Sequence, residues 1–265
     1  MTTLRAESSS DRQRRKLLAR IVKQHEIITR EISIGDLRIP FTQIKDPDRV
    51  LDDIVAEADR REKVSGVREH EDELHLPYWA ELWDSAMGVG QWLVTCWGGE
   101  QVAKWGCENS ITSPPLHLPT SPSRASVLDL GCGMGLAGTV AAALGHRVLL
   151  ADIEPDALLF ARANAMQFGA DVRARRVDWR RDRLNESFDM ILGADVLYDK
   201  SQWDYLDLFF RAHLRVGGSV ILGEPGRQTG EMFITWINGK GWRLEQSEQA
   251  VITRPKPIRL FRLFR

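Results

Sequence analysis

The sequence has few cysteines, almost no net charge and no long apolar run, and each shortage excludes a class of protein. Its 3 cysteines form no C-x-x-C pair, which predicts a reducing compartment, the cytoplasm, and no metal cluster. A formal net charge of −1 gives no overall field that would attract nucleic acid or a membrane surface. Because no apolar stretch reaches the length of a bilayer core, we expect no membrane span.

The most informative stretch is VLDLGCGMGLAG at 127–138, where a β-prone apolar run ends in glycines and an apolar helical pattern follows. This is the pattern of strand, tight turn and helix that opens a βαβ unit. The glycines allow a sharp turn and the close approach of a ligand. The helix beyond them directs free N–H groups at the turn. We therefore predict a site for a small, partly anionic ligand, in preference to a purely structural turn.

Two cofactors are compatible with this turn. Gly133, Gly135 and Gly138 satisfy the dinucleotide fingerprint G-x-G-x-x-G. Asp129 stands two residues before Gly131, where a carboxylate would repel a pyrophosphate and attract an ammonium group. S-adenosylmethionine (SAM), which carries an amino acid end, a sulfonium and an adenosine, meets that requirement.

The form D-x-G-x-G-x-G, from Asp129 to Gly135, resembles motif I of class I SAM-dependent methyltransferases. The resemblance implies that Asp129, Gly131, Gly133 and Gly135 hold the methionine end of SAM. The next predicted strand ends in Asp152, whose carboxylate suits ribose hydroxyls. Both cofactor hypotheses use Asp152 in this way, so it does not separate them.

Two further strand ends carry suitable residues, and ligands of open α/β sheets bind beyond the carboxyl ends of the strands. Asp178 follows the third predicted strand, where it can accept from the adenine amino group while Trp179 packs near the base. The fourth strand ends at Ala194, which we place at the cofactor, and Asp195-Val-Leu-Tyr198 follows.

The segment from Asp195 to Tyr198 resembles the D/E-x-x-Y/F motif of the protein-lysine methyltransferases. The resemblance implies that Asp195 orients an acceptor amine and that Tyr198 walls the acceptor channel. Asp195 can instead be a helix cap. The N/D-P-P-Y/F motif of nucleobase methyltransferases is absent, because the chain has no proline here, which disfavours nucleic acid as a substrate.

An aromatic segment precedes the glycine turn. Trp83 stands directly before a helix start at Asp84 or Ser85, where an aromatic ring can cover a cationic or heteroaromatic ligand. We assign Trp83 to the cofactor and Trp79 to core packing. This segment resembles the region before motif I in the methyltransferase 16 family, although Asp84 stands where proline is common.

The order of elements predicts the fold class. Strands alternate with helices from 127 to 238, and two further strands, at 242–246 and 258–264, have no helix between them. This predicts a Rossmann-like doubly wound α/β sheet of seven strands with the last strand antiparallel. We expect an α-rich N-terminal extension over 1–74, with a disordered start and a short hairpin. A methyltransferase domain over 75–265 would then carry a proline-rich loop insertion at about 98–126.

Three functions remain open on the sequence alone. The first is methylation of a protein lysine, the second is N- or O-methylation of a small molecule, and the third is a nucleotide-binding or NAD-dependent protein without methyltransferase activity. We expect a monomer. An arginine cluster flanks the third strand and is interpreted as a solvated rim, or as a contact for an acidic protein patch or phosphate: Arg173, Arg175, Arg176, Arg180, Arg181 and Arg183.

Overall fold

A computed structural model describes residues 9–65, 76–97, 124–169 and 171–265. The N-terminal part contains α1 (Ser9–Ile21), β1 (Ile27–Ile34), β2 (Leu37–Ile44), α2 (Pro47–Ser65) and α3 (Asp84–Trp97). The remainder contains β3 (Ser126–Leu130), α4 (Leu136–Ala143), β4 (Arg147–Asp152), α5 (Pro155–Ala165), β5 (Val172–Arg176), β6 (Phe188–Ala194), α6 (Trp203–His213), β7 (Leu214–Glu224), α7 (Gln228–Asn238), β8 (Arg243–Gln249) and β9 (Ile258–Phe264). Across these residues, no helix is long and apolar enough to cross a membrane.

Seven strands form one sheet in the order β5-β4-β3-β6-β7-β9-β8. The strands from β3 to β7 are mutually parallel, and β9 runs antiparallel to both of its neighbours. Alternate residues along β3 enter two buried clusters, since Val127 joins the side covered by α3, α4 and α5 and Leu128 joins the side covered by α6 and α7. The predicted seven-stranded, doubly wound sheet with an antiparallel last strand is confirmed.

The sequence predicts strands at 147–152 and 258–264 and a helix from 228 to about 238, and β4, β9 and α7 match these ranges. It also predicts a strand at 217–222, whereas β7 begins earlier, at Leu214. The pairing of β7 with β6 contains an irregularity, and Gly217 has a φ of 77°. The expected loop insertion lies outside the described residues apart from 124–126, where Ser126 begins β3.

The N-terminal extension contains the expected hairpin, β1 paired with β2, between two helices. Helix α1 packs against α5, and the hairpin buries Ile34, Ile39, Phe41 and Ile44 in the same cluster as the helices of the sheet. The extension therefore shares one core with the face of the sheet that carries α4 and α5. The division of the chain at residue 74 stays a prediction.

Candidate functional site

The parallel strands end side by side at one edge of the sheet, and this edge carries the predicted site. The strand order runs outward from β3 through β4 on one side and from β6 to β7 on the other. Ligands of open α/β sheets bind at such a reversal, beyond the carboxyl ends of the strands. The segments after β3 and β6 meet there, because a Cβ on Gly131 would lie 3.0 Å from Val196 Cγ1.

The glycine turn has the backbone that its sequence predicts. Gly131, Gly133 and Gly135 have φ values of 63°, 52° and 82°, which favour glycine. A Cβ on Gly135 would lie 2.6 Å from that of Ala161, so this glycine lets α4 approach α5. A Cβ on Gly133 would meet nothing nearer than the Trp79 carbonyl oxygen at 3.6 Å, which leaves room above the turn. Gly135, at the start of α4, offers no capping side chain, and the Gly138 N–H in the first turn is bonded by the Asp129 carboxylate.

Asp129 lies beneath the turn and does not line the space above it. Its side chain is 1% exposed, and Oδ2 accepts a hydrogen bond from Gly138 N at 2.7 Å. Burial raises the pKa of this carboxyl to about 7. The sequence prediction that Asp129 meets the ammonium group of SAM directly is therefore wrong, because the carboxylate is enclosed and holds the backbone of α4.

Asp152 connects the second strand end to the same turn. Its Oδ2 accepts from Gly133 N at 2.8 Å, and its Oδ1 accepts from Glu154 N at 2.9 Å. Burial raises the pKa of the Asp152 carboxyl. This residue shapes the turn, and its role at the ribose stays a prediction.

Asp178 and Trp179 follow β5 at the predicted edge. The Asp178 carboxylate accepts from Arg180 at 3.0 Å (Nε) and 3.1 Å (Nη2), and this hydrogen bonding lowers the pKa of Asp178. Trp179 covers the turn, since its ring lies 3.4 Å from the Cβ position of Gly131. The indole is therefore well placed for a base, whereas Asp178 could reach an adenine amino group only by sharing its oxygens with Arg180.

The arginines near β5 mostly have local partners. Arg173 forms a bidentate pair with Glu186 at 2.9 and 2.6 Å, and Arg176 donates to the Ile153 carbonyl at 2.9 Å. These side chains are exposed, and exposed ion pairs contribute little stability. Their arrangement favours the solvated rim over a docking patch.

Asp195 has an unusual backbone and a buried ion pair. It has a φ of 61°, and within the described ranges it is the one residue other than glycine with a positive φ. Its carboxylate, 8% exposed, bonds both terminal nitrogens of Arg227, with Nη2–Oδ2 at 3.1 Å. Burial raises the pKa of Asp195, and Arg227 opposes that rise. The alternative prediction of a helix cap is wrong, because Asp199 accepts from Ser201 N before α6.

Three aromatic rings stand beside this ion pair. The ring centroids of Tyr78 and Tyr198 are 5.7 Å apart, and those of Tyr78 and Trp83 are 6.4 Å apart. Trp83 Nε1 donates to the backbone carbonyl of Tyr78 at 2.8 Å, which orients the indole ring. Tyr78 and Tyr198 are 51% and 49% exposed, so the group forms a mouth open to solvent. Trp79, by contrast, is buried as predicted.

Sequence reasoning missed three residues of this region. Tyr78 stands in the aromatic segment but was not separated from core residues. Arg227 lies three residues after the end of β7, and the rule that ligands bind at strand ends would have found it. Asn164 lies inside α5 and donates to the Met134 carbonyl of the turn at 3.1 Å. A buried asparagine within an apolar helical face was its signal.

Comparisons with known proteins identify the family of this chain. The profile of a family described as lysine methyltransferase matches residues 67–237. The chain is 38% identical over 120 residues to the protein N-lysine methyltransferase METTL21A of Xenopus tropicalis, covering 42% of this chain and 52% of that protein. It is 33% identical over 113 residues to a ubiquinone biosynthesis O-methyltransferase of Agrobacterium fabrum, covering 42% and 44%.

A solved structure of the glycopeptide N-methyltransferase MtfA with SAM is similar, with a TM-score of 0.47 and 14% identity. The match covers 55% of this chain and 89% of that chain. The chain spans about half the length of the curated relatives it matches.

Proposed function

Since this chain belongs to the lysine methyltransferase family, we propose that it transfers a methyl group from SAM to the side-chain amine of a lysine in a protein. The observation that carries the proposal is that Asp195 lies beside the aromatic mouth, to which Tyr198 belongs. This mouth follows β6, the strand next to the one that ends in the glycine turn. A carboxylate beside aromatic rings is suited to hold an amine at the edge of a cofactor pocket.

The residues at the strand ends fit SAM. The N–H groups ahead of Gly138 at the start of α4 suit its carboxylate, and the space above Gly133 admits its methionine portion. Asp152 suits the ribose hydroxyls, and Trp179 suits the adenine ring. We also place Trp83 and Ala194 at the cofactor. Bound SAM would supply an electrophilic methyl group on a cationic sulfur, which leaves as neutral S-adenosylhomocysteine.

The chain's own part in the reaction is to bind, orient and exclude water. A methyl transfer needs a neutral amine in line with the carbon–sulfur bond. A free lysine amine has a pKa of about 10.4, and removal of the amine from water favours its neutral form. Asp195 can accept one amine hydrogen and so aim the nitrogen lone pair. Burial raises the pKa of Tyr198, so its hydroxyl stays neutral and acts as a wall or a donor.

A small-molecule acceptor is the second candidate. It is favoured by the relative named for ubiquinone biosynthesis and by the exposure of Tyr78 and Tyr198, which leaves the mouth wide. A cytoplasmic location is part of the proposal, supported by the thiol state of Cys96 and Cys132. We also propose a monomer.

Labelling distinguishes these acceptors. The protein is incubated with tritiated SAM and a cell lysate, and the label is separated by mass and traced to an amino acid by hydrolysis. We expect label in protein, recovered as methylated lysine, and at least about a hundredfold less with Asp195→Asn. Asp36→Asn, on the exposed hairpin turn, is the matched control. Label confined to the low-mass fraction would establish the small-molecule alternative instead.

A further inference from the structure

Arg227 occupies the acceptor mouth in a way that the family resemblance does not account for. Its guanidinium bonds both oxygens of Asp195 and lies 5.8 Å from the centroid of the Trp83 ring. The Asp195 side chain is 8% exposed and that of Arg227 is 38% exposed. The pair therefore lies at the inner end of the mouth, with the arginine on the solvent side.

The backbone that carries Arg227 is held firmly. Glu224, 2% exposed, accepts from the Gly226 N–H at 2.8 Å and from the Arg227 N–H. Arg259 donates to Glu224 through Nε at 2.8 Å and to the Arg227 carbonyl through Nη2 at 3.1 Å. Because the loop is fixed on both sides, the direction of the Arg227 side chain toward Asp195 is a built feature of the fold.

The ion pair changes what Asp195 offers to an acceptor. A lone buried carboxylate would stabilise an ammonium ion and so raise the pKa of the acceptor amine. Paired with Arg227, Asp195 contributes no net charge. Its oxygens have about four acceptor sites between them, so a bidentate arginine leaves room for an amine N–H. The pair can therefore orient an amine without favouring its protonated form.

We propose that Arg227 is a positioning residue of the acceptor site, which cancels the charge of Asp195 so that the site selects the neutral, nucleophilic form of an amine. This inference rests on the proposed amine methylation. It adds to that function by assigning the choice between the neutral and the protonated acceptor amine to one residue.

Other charged groups also face Asp195 and must be held constant in a test. Glu224, at the end of β7, and Arg254, from the segment between β8 and β9, act on it with opposite signs. Tyr198 lies on the same segment as Asp195, and its hydroxyl is neutral in the relevant range because burial raises its pKa. None of these three changes in the variants below.

The test compares pH profiles. Initial rates of tritium transfer from saturating SAM into the main acceptor band of a lysate are measured from pH 6.5 to 10 for the wild type and Arg227→Met. In the profile of rate against pH, we expect the rising limb of Arg227→Met to lie at least about one pH unit higher than that of the wild type. The reason is that the unpaired Asp195 carboxylate stabilises the ammonium form of the acceptor amine. Arg227→Lys, which keeps the charge, should retain the wild-type limb. The double variant Asp195→Asn/Arg227→Met should return close to it.

If the rising limb of Arg227→Met stays at the wild-type pH, the inference about Arg227 is overturned. The proposed function is still supported in that case, provided that the wild type forms methylated lysine. A wild type that labels no lysine would instead refute the proposed function. SAM affinity, measured by titration, serves as the folding control. Arg227→Gln replaces the methionine variant if that variant does not bind SAM.

Discussion

At the scale of single residues, buried carboxylates set the chemistry at the edge of the sheet where the parallel strands end. Asp129, Asp152 and Asp195 are all largely enclosed, and burial raises the pKa of each. Their partners differ in kind: backbone N–H groups hold the first two, and a guanidinium holds the third. The first two therefore shape the turn, whereas the third faces the acceptor mouth.

Asp129 gives a prediction for stability. Its pKa is about 7 in the folded protein and 3.8 in the reference state, so the folded form binds its proton more tightly. The contribution of Asp129 to stability is then full below pH 4 and is lost as pH rises toward 7, up to about 4 kcal/mol. Asp129→Asn keeps an oxygen for Gly138 N and removes the titration. Its free energy of unfolding should exceed the wild-type value by an amount that grows from pH 4 to pH 7 and then levels off.

Urea unfolding at several pH values, without cofactor, measures this difference. Asp36→Asn, on the exposed hairpin turn, is the control and should show no such growth. Equal pH dependence in the wild type and Asp129→Asn would contradict the account of the buried carboxyl.

Sequence reasoning placed these residues at the right edge but could not orient their side chains. The glycine pattern and the strand ends located Asp129, Asp152 and Asp195, because a strand's length and direction follow from its apolar run. Whether a carboxylate points up into a pocket or down onto a helix depends on its neighbours in space. Gly138 N bonds Asp129 across 9 residues of sequence, and Arg227 bonds Asp195 across 32 residues, and no local pattern encodes these pairs.

At the scale of elements, one asparagine joins the N-terminal hairpin to the glycine turn. Asn164 of α5 accepts from Thr42 N at 2.8 Å and donates to Thr42 O at 2.9 Å, so its amide pairs with β2 as another strand would. The same amide nitrogen donates to Met134 O in the turn. The hairpin is thereby connected to the candidate cofactor pocket through a fully buried side chain.

This connection predicts a paired loss. Asn164→Ala leaves the Thr42 and Met134 backbone groups without partners, which should cost about 2 to 4 kcal/mol of stability. SAM affinity should fall about tenfold or more, equivalent to ~1.4 kcal/mol, because the turn is less well held. The free energy of unfolding and the dissociation constant are measured by urea titration and calorimetry.

Gln167→Ala is the matched control for this experiment. Gln167 donates to the Pro40 carbonyl of the hairpin at 3.0 Å but does not bond the glycine turn. It should lose some stability and keep its SAM affinity. If both variants bind SAM equally well, the hairpin does not support the pocket.

Elements with strong periodicity were the ones that the sequence predicted best. Strand β9 and helix α7 were placed to the residue, since each has a clear apolar face. The start of β7 was missed because the prediction began the strand at Gly217, whereas pairing of Leu214 with Phe188 of β6 extends it toward the N-terminus. That pairing joins residues distant in sequence, which no local pattern shows.

At the scale of the whole molecule, the two proposed sites lie next to each other at one edge of the sheet. The glycine turn and Asp152 lie after β3 and β4, while Asp195 and Arg227 lie after β6 and β7. The proposed methyl transfer needs donor and acceptor to approach in line, and adjacent strand ends provide that proximity. The overall topology followed from the order of elements, whereas the sharing of one core between extension and sheet did not, because it depends on contacts distant in sequence.

The proposed methyl transfer depends most directly on the identity of the cofactor, which calorimetric titration of the intact protein with SAM, S-adenosylhomocysteine and NAD determines. We expect SAM and S-adenosylhomocysteine to bind at one site per chain and NAD to show no binding, because the chain belongs to the lysine methyltransferase family. Asp152→Asn should weaken SAM by about tenfold or more, equivalent to ~1.4 kcal/mol. Binding of NAD in place of SAM, or SAM affinity unchanged in Asp152→Asn, would contradict the assignment of this edge as a methyl donor site.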